Sequence, residues 1–530
     1  MNKVSAILQP CDEGVIGARI AASPCTKSSQ RWILIGTILA SSMVFIDGTV
    51  INVALPALQA NLGATVVDVQ WVIESYALLL AALLLIGGSL GDHYGRRRIF
   101  VTGIILFGIA SACCGLSANV RQLITARGFQ GLGAALLVPG SLAIISASFP
   151  NAERGRAIGT WSGATAITAA IGPVLGGWLI EHISWRAIFF INLPLALIVL
   201  AISLRHVPES RDETEKGSLD WLGGLLTVIA LGSLVYGLLE SSRVGFEHAS
   251  VLIALCVGML ALVLFVIWEA RIPNPMLPLA LFRSRDFSGA NLLTFFLYSA
   301  LSGTMFFLPM NLIQVHRYTP IAAGAALLPF ILMMFALSRW AGGLVPRYGA
   351  KIPLVIGPAI SAISFILFTL PGIDGNFWST FFPAILTLGF GMAISVAPLT
   401  TTVMDSVPEN RVGIASGINN AVSRAAALVA IAVLGIVMVQ SFNQALGGNV
   451  KGMNLPPTAR TVLNESRTKL AGVTWPQEMD NTTRLDLTRI INDSFVSAFR
   501  RVMTFNVALA LAGSLSALLL ITGRLQRNRR

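Results

Sequence analysis

Charged side chains are scarce in this chain. Of its 530 residues only 12% are Asp, Glu, Lys or Arg and 55% are hydrophobic, whereas a soluble domain is about 25% charged. Histidine and cysteine are rare too, and neither the number nor the spacing of the cysteines predicts a disulfide framework or a metal site. No phosphate-binding loop or nucleophile elbow stands in a suitable context. We therefore expect no metal site, no bound cofactor and no enzymatic activity.

The sequence does contain a long series of apolar runs, each of about 20 residues, which is the length that crosses a bilayer as a helix. In lipid the backbone groups can bond only to one another, so these runs predict an all-α polytopic membrane protein with about fourteen spanning helices. The predicted spans are residues 32–55, 69–91, 99–118, 123–146, 156–180, 186–204, 219–239, 249–268, 288–313, 320–343, 352–371, 378–401, 412–439 and 502–523.

The formal net charge of +12 comes from basic residues in the short connections between the apolar runs. They form no continuous basic face, so we predict no nucleic-acid partner. If both termini are placed in the cytoplasm, the short outer connections hold only Arg121, Arg186, Arg243 and Arg317. Positive charge then lies mostly inside, as the positive-inside rule requires. We predict a multi-pass protein of the inner (cytoplasmic) membrane with both termini in the cytoplasm and the lipid bilayer around it.

Two segments of the first half recur in the second half. Gly88–Phe100, GSLGDHYGRRRIF, returns as Gly342–Leu354, GGLVPRYGAKIPL, and a shorter match joins residues 150–159 to 408–413. Two independent matches predict duplicated six-helix units with a central cavity between them. The predicted domains are a tail over residues 1–31, a six-helix bundle over 32–205, a linker with two additional helices over 206–287, a second bundle over 288–523 with an outer loop at about 440–501, and a basic tail over 524–530.

Four short motifs lie on or beside these apolar runs. They are Asp47–Pro56, DGTVINVALP; a loop with Gly88, Asp92, Gly95, Arg96, Arg97 and Arg98; Arg127–Gly133, RGFQGLG, which includes Gln130; and Gly159, Gly163, Gly172, Pro173, Gly176 and Gly177 in the fifth run. Together they resemble the major facilitator superfamily, specifically its fourteen-helix drug:proton antiporter branch.

The resemblance implies the major facilitator fold, with two six-helix halves plus two extra central helices. It implies that the loop from Gly88 to Arg98 is a cytoplasmic gate and that Arg127 takes part in proton transfer. The fifth run corresponds to the family's antiporter motif, which prevents leak, although Thr168 stands where another glycine is usual. Energy would then come from a proton gradient and from no bound cofactor.

Three ionisable residues, Asp47, Glu74 and Arg127, fall inside the apolar runs. At about 1.5 Å per residue, each lies roughly 6–9 Å below the outer membrane boundary. A charge at the membrane centre costs about 2.5–3.5 kcal/mol on insertion scales, so a function or a partner is expected. We predict that Asp47 carries the transported proton, that Arg127 stabilises its ionised form, and that Glu74 shares the proton or contacts cationic cargo. The alternative is a permanently charged set that only fixes helix packing.

The predicted function is proton-coupled export of small amphipathic or cationic compounds by alternating access, as in multidrug efflux. Asp47, Glu74 and Gln130 are the candidates for the substrate cavity, and Arg424 in the thirteenth run either bonds between helices or contacts cargo. The alternatives are transport of one specific metabolite, lipid or siderophore, and a membrane receptor that binds ligand without moving it. The expected partners are small-molecule cargo and protons, with a periplasmic adaptor and an outer-membrane channel as further candidates in a Gram-negative cell. No oligomeric state is predicted.

Overall fold

The computed structural model describes residues 25–211, 220–273, 275–408, 411–451, 456–473, 475 and 479–522, and their secondary structure is helical. The first half contains α1 (Lys27–Leu62), α2 (Val66–Tyr94), α3 (Arg96–Leu116), α4 (Val120–Ser148), α5 (Asn151–His182) and α6 (Asn192–His206). The central pair is α7 (Trp221–Val244) and α8 (Ala249–Glu269). The second half contains α9 (Arg285–Met310), α10 (Leu328–Gly342), α11 (Lys351–Leu367), α12 (Phe382–Asp405), α13 (Val412–Asn449) and α14 (Asn481–Leu520).

Short helical pieces extend several of these helices. Ala187–Phe190 leads into α6, the π-helical turn Asn311–Val315 continues α9, Pro320–Ala325 precedes α10, Leu344–Tyr348 follows α10, and the π-helical turn Phe377–Phe381 opens α12. With these pieces included, 13 helices of the described chain are long and apolar enough to cross a membrane, and α11 is a shorter apolar helix. The prediction of about fourteen helices in a multi-pass membrane protein is confirmed.

The outer segment predicted as a loop at about 440–501 is largely helical. α13 continues to Asn449, α14 begins at Asn481, and a separate helix, Pro457–Lys469, lies between them. Asp480 caps α14 by accepting hydrogen bonds from the backbone N–H groups of Thr482 and Thr483. Hydrophobicity marks where a helix leaves the membrane, but backbone hydrogen bonds continue in water when a cap and packing support them. The apolar runs therefore underestimated the lengths of these helices.

Parts of the predicted chain ends and connections lie outside the described residues. These are residues 1–24 of the N-terminal tail, the whole tail 524–530, residues 212–219 of the linker, and residues 452–455, 474 and 476–478 of the outer segment. Within the described part, Cys113, Cys114 and Cys256 are free, whereas Cys25 is disulfide-bonded, which the cysteine spacing did not predict.

The packing of the helices repeats between the two halves. In the first half α1 packs against α5 and α6, α2 against α4, and α3 against α4 and α6. In the second half α9 packs against α13 and α14, α10 against α12, and α11 against α12 and α14. Each contact between two helices of the first half recurs between the two helices of the second half whose numbers are eight higher, so that α1 corresponds to α9 and α6 to α14. This repetition confirms two six-helix halves plus an extra pair.

The extra helices α7 and α8 pack against each other, and α7 also contacts α2 and α13, one helix from each half. Asp220 fixes the start of α7 because its Oδ1 accepts a 2.8 Å hydrogen bond from the Gly223 N–H. The same oxygen accepts a 2.7 Å bond from Trp268 Nε1 near the end of α8. One buried carboxylate thus caps α7 and ties it to α8.

Replacement of Asp220 by alanine is expected to loosen this pair. The variant loses a helix cap, worth about 0.5–2 kcal/mol, and leaves the Trp268 indole N–H without its acceptor. We expect a lower midpoint of thermal unfolding in detergent for Asp220→Ala. Asp486→Ala is the control, because the Asp486 side chain is exposed and makes no hydrogen bond or ion pair with any residue that the structure describes. Equal midpoints for the two variants would contradict this role of Asp220.

Candidate functional site

Asp47 on α1 and Arg127 on α4 form a buried ion pair. Asp47 is 3% exposed, Arg127 is completely buried, and Arg127 Nη1 donates a hydrogen bond to Asp47 Oδ2. Two glycines of the fourth-helix motif allow α4 to approach its neighbours. A Cβ at Gly131 would lie 2.2 Å from the carbonyl oxygen of Tyr76 on α2, and one at Gly133 would lie 2.7 Å from the Phe107 nitrogen on α3. The motif therefore positions Arg127 as well as supplying it.

Three polar side chains complete the surroundings of Asp47. Gln130 Nε2 donates a 2.8 Å hydrogen bond to Asp47 Oδ1, and Asn192 Nδ2 on α6 donates a 3.2 Å bond to the same oxygen. Ser111 Oγ on α3 accepts from Asn192 at 3.0 Å and from Gln130 at 3.3 Å. Hydrogen bonds from charged and amide donors stabilise a carboxylate in its charged form. Four helices of the first half thus supply one closed polar cluster.

Arg127 makes further contacts inside this cluster. Its Nε donates to the Val72 carbonyl oxygen over 3.1 Å, and its Nη1 donates to Gln130 Oε1 over 2.8 Å. The guanidinium carbon lies 4.2 Å from the centre of the Tyr76 ring, a cation–π distance. Arg127 Nη2 has no hydrogen-bond partner among the described residues. Arg127 Nη2 could therefore donate a hydrogen bond to a further polar group that enters the cluster.

Glu74, predicted to act with this pair, is not in contact with it. The side chain is completely buried on α2, and neither carboxyl oxygen has a hydrogen-bond partner in the described part of the chain. Gln70, one helical turn away on the same face, donates a 2.9 Å bond to the Ile431 carbonyl oxygen on α13. Glu74 therefore lies on the face of α2 that meets the second half, while Asp47 and Arg127 bond within the first half.

The glycine motif of α5 forms close contacts toward the end of the bundle where α1 leads into α2, which the sequence predicts to be the outer end. A Cβ at Gly172 would lie 2.1 Å from Thr49 Oγ1 on α1, and one at Gly176 would lie 3.0 Å from Val50. A Cβ at Gly177 would lie 2.5 Å from the Pro320 carbonyl oxygen, in the helical piece before α10. In return, Gly324 of that piece packs against the backbone of Pro173, where a Cβ would be 2.2 Å from the Pro173 oxygen. Only glycine fits these positions without movement of the backbone or of Thr49.

Gly159 and Gly163, which belong to the same predicted motif, do not share this environment. A Cβ at either residue would meet no atom within 4 Å. Both lie toward the other end of α5, so the close packing is confined to the Gly172–Gly177 part of the motif. In this conformation no described neighbouring atom requires a glycine at position 159 or 163.

The described hydrogen bonds between the two halves all lie toward the outer end. Gln314 Nε2 donates to Gln59 Oε1 over 2.7 Å, Gln59 Nε2 reaches the Lys469 carbonyl oxygen, and Gln70 bonds to α13. The largest apolar core also joins both halves there, whereas the inner part of the first half has a separate core that includes Phe100 and Ile104. Among the described residues, no hydrogen bond or ion pair joins the halves at the inner end. The bundle is thus closed at the predicted outer end and less connected at the predicted inner end.

The predicted gate loop between α2 and α3 is anchored within its own half. Arg96 Nε donates to Asp92 Oδ1 over 2.7 Å, and Arg97 Nη2 donates to the Leu204 carbonyl oxygen over 2.6 Å. Glu209, just after α6, accepts a 3.2 Å bond from the Arg97 N–H and lies 3.7 Å from Arg98 Nε.

The glycines of this loop differ in how tightly they are packed. Gly95 has φ of +113°, and a Cβ there would lie 2.6 Å from Glu209 Oε1, so both its backbone and its contact favour glycine. A Cβ at Gly88 would lie 3.5 Å from Pro139, an ordinary contact. The turn at Gly95 is therefore the tight point of the loop.

Several residues of the site have weak sequence signals. Asn192 and Ser111 are single polar residues in apolar helices, Tyr76 resembles an ordinary core aromatic, and Glu209 lies in a polar connection. Their roles depend on contacts between residues distant in the chain, such as that between Ser111 and the Phe189 carbonyl oxygen, 78 residues apart, and that between Tyr76 and Arg127. A search for polar residues within predicted spans would have found Asn192 and Ser111, but no periodic pattern distinguishes Tyr76 or Glu209.

Comparison with known families gives a match over most of the chain. The sequence model described as Major Facilitator Superfamily matches residues 37–431. The multidrug resistance protein Stp of Mycobacterium tuberculosis (strain CDC 1551 / Oshkosh) is 35% identical over 438 residues, which cover 82% of this chain and 81% of that protein. The tetracenomycin C resistance and export protein of Streptomyces glaucescens is 31% identical over 487 residues, which cover 92% of this chain and 90% of that protein.

A solved structure shares the fold. A bacterial homolog of the human lysosomal transporter Spinster, in its inward-facing and unoccupied conformation, aligns with a TM-score of 0.64. The alignment covers 93% of this chain and 98% of that chain at 18% sequence identity. At this identity the likeness concerns the arrangement of helices and not the ligand.

The contact of Gly177 with the second half can be tested by a single methyl group. Gly177→Ala would push a Cβ against the backbone at Pro320 and Ile321, and overpacking of this kind costs about 1–3 kcal/mol. We expect a longer or broader distance distribution between spin labels at Asn61 and Asp374, which are exposed on the outer ends of the two halves. Gly159→Ala is the matched control, because its Cβ meets no atom within 4 Å. If Gly177→Ala gave the same distance distribution as the control Gly159→Ala, the packing at Gly177 would not be what holds the outer ends together.

Proposed function

Because the chain belongs to the Major Facilitator Superfamily, whose members are secondary transporters, we propose that it is a proton-coupled antiporter that exports small amphipathic compounds, cationic ones included. Relatives are named for multidrug resistance and for tetracenomycin C export, and this supports drug-like cargo. The proposed location is the cytoplasmic membrane with both termini inside. The observation that carries the proposal is the buried pair of Asp47 and Arg127.

Asp47 is the proposed proton carrier. Removal of one partner from a buried ion pair costs about 3–5 kcal/mol, because the remaining charge is left uncompensated. The pair therefore opens most readily when a proton neutralises the carboxylate at the same time. Arg127 would then keep its bonds to the Val72 carbonyl oxygen and Gln130 and its stacking on Tyr76. These contacts support a cycle in which Asp47 gains and loses its proton while Arg127 stays in place.

Glu74 is proposed as a second proton holder. A charged carboxylate without a counter-ion or a hydrogen-bond donor is costly in a buried site, and Glu74 has neither in the described chain. In this conformation we propose that Glu74 is neutral. Movement of α13 away from α2 would uncover it, so that its proton could exchange or cationic cargo could approach.

Alternating access is the proposed transport cycle. The outer end is closed by the packing of α5 on the piece before α10, and the described polar contacts between the halves are also near that end. Cargo would enter from the cytoplasmic side in this state. Thr49 and Val50, which contact the α5 glycines, follow Asp47 on α1 by two and three residues. A change in the charge of Asp47 thus acts on the helix that supports the outer seal.

The loop from Gly88 to Arg98 is proposed to hold the inner end when that end closes. Asp92 is bonded to Arg96 of the same loop in this state. We propose that it exchanges this partner for the second half as the halves rock together. The counterpart in the second half carries Pro346 in place of an acid, so this latch is asymmetric.

Asp47→Asn is expected to abolish transport driven by a pH gradient, because the amide cannot take up and release a proton. The measurement is the accumulation of a panel of amphipathic dyes, cationic, neutral and zwitterionic, in inverted membrane vesicles with an acidic interior. Passive equilibration of dye by the variant is expected to persist. Wild-type levels of gradient-driven accumulation by Asp47→Asn would exclude Asp47 as the carrier.

A double variant separates the loss of proton coupling from the loss of stability. Asp47→Asn leaves Arg127 buried without a counter-ion, and this alone is expected to destabilise the fold by about 3–5 kcal/mol. Asp47→Asn combined with Arg127→Gln removes both charges and is expected to recover thermal stability but not accumulation. Recovery of accumulation along with stability would mean that the pair has only a structural role.

A further inference from the structure

Arg424 lies on α13 in the second half and has no counter-ion. The side chain is partly buried, and no described carboxylate lies within ion-pair distance of it. It also makes no hydrogen bond and no cation–π contact with any described residue, so the expectation that it bonds between helices is not met. An arginine side chain is always protonated in proteins. A permanent positive charge is therefore uncompensated inside the bundle.

Arg424 lies on the face of α13 that meets the first half. Ile431 and Gly435 follow it by seven and eleven residues on the same helix face, and both contact Gln70 on α2. α2 also carries Tyr76, which stacks on Arg127. Tyr76 is 5% exposed and its hydroxyl donates to the Val44 carbonyl oxygen on α1 over 3.4 Å. Arg424 thus lies on the side of α13 turned toward α2, the helix that carries Tyr76 beside the polar cluster of Asp47.

Polar residues accompany Arg424 on one face of α13. Ser416, Asn420 and Arg424 follow one another at intervals of four residues, which places them in one row. Asn420 is exposed, and the only described hydrogen bond of its side chain is donated to the Ser416 carbonyl oxygen of its own helix. The neighbouring Asn419 instead bonds to Thr294 on α9 over 2.7 Å. Asn419 therefore serves helix packing, whereas the row that ends at Arg424 is open to a ligand.

The charges that surround this space favour an anionic ligand group. Asp47 and Arg127 neutralise each other, and Glu74 is completely buried, so neither carboxyl group is open to cargo in this conformation. Arg424 is left without an ion pair to any described residue, on the face of α13 that meets α2. A guanidinium binds a carboxylate through charge-assisted and frequently bidentate hydrogen bonds.

We propose that Arg424 is a cargo-binding residue that selects amphipathic molecules with a carboxylate or another acidic group, with Asn420 as a second polar contact. The inference rests on the proposed function, since it assigns the cargo class of the same central space. It narrows the cargo from amphipathic compounds in general to those whose acidic end can neutralise Arg424 next to the proton site.

The test is direct binding of two matched probes, a rhodamine dye with a free carboxylate and the methyl ester of the same dye. Purified full-length protein in phosphatidylcholine nanodiscs is titrated with each dye by fluorescence anisotropy. We expect wild type to bind the acid more tightly than the ester. Arg424→Gln should weaken binding of the acid about tenfold or more and change binding of the ester less than about twofold. Arg424→Lys should retain part of the preference, because it keeps the charge but not the fork of donors.

Asn419→Ala is the matched control, because it disturbs the same helix without a change of charge. It is expected to affect both dyes equally, which also identifies losses that come from misfolding. Equal binding of the two dyes by wild type, or an equal loss of both in Arg424→Gln, would overturn the proposal. An acid preference that disappears when phosphatidylglycerol is added to the nanodiscs would assign the site to a lipid headgroup and also overturn it.

Binding and transport separate this inference from the proposed function. If the acid dye depends on Arg424 for binding but no dye accumulates under a pH gradient, the cargo-binding role stands and proton-coupled export fails. If dyes accumulate under the gradient while acid and ester bind alike, export stands and the selectivity assigned to Arg424 fails.

Discussion

A carboxylate and a guanidinium that are both removed from water constrain the first half of this bundle. Asp47 on α1 and Arg127 on α4 are 80 residues apart in the chain, and each is the main charge partner of the other. A buried charge without its partner is strongly destabilising, so α1 and α4 must stay in register for as long as both residues are charged. Gln130 and Asn192 bring α4 and α6 into the same constraint through hydrogen bonds to the carboxylate. The relative position of three helices thus depends on the charge of one side chain.

Close backbone packing connects this cluster to the outer seal. α1 carries Asp47 and, within one helical turn, Thr49 and Val50, against which the glycines of α5 pack. α5 in turn meets the backbone at Pro320 in the second half. These contacts are made by backbone atoms and by the short side chains of Thr49 and Val50, which leave little room to adjust. A movement of α1 would therefore also displace α5 at the interface between the halves. In the proposed cycle, a proton on Asp47 would in this way change which end of the bundle is closed.

Two ionisable side chains without a described partner, Glu74 and Arg424, do not belong to the ion pair of Asp47 and Arg127. Glu74 faces the second half from α2 without a partner, and Arg424 faces the first half from α13 without a counter-ion. A membrane protein gains no stability from such residues, because each is costly to place among apolar helices. Their presence fits groups that interact with protons or cargo during part of a cycle. In the proposed function the two halves have different roles, with the proton cluster in the first and the partly buried cation Arg424 in the second.

The sequence alone determined the properties that depend on local composition and spacing. The apolar runs predicted the helices, two repeated segments predicted the duplicated halves, and the motifs identified Asp47, Arg127 and the α5 glycines, since each of these signals is contained within a few turns of one helix. Only the tertiary structure decided which side chains meet. It joined Asp47 to Asn192, separated Glu74 from that pair, and left Arg424 without a counter-ion, although depth along each helix placed Asp47, Glu74 and Arg127 in one layer. The reason is that depth depends on position along one helix, whereas contact also depends on the rotation of each helix about its axis, which the packing of all its neighbours sets.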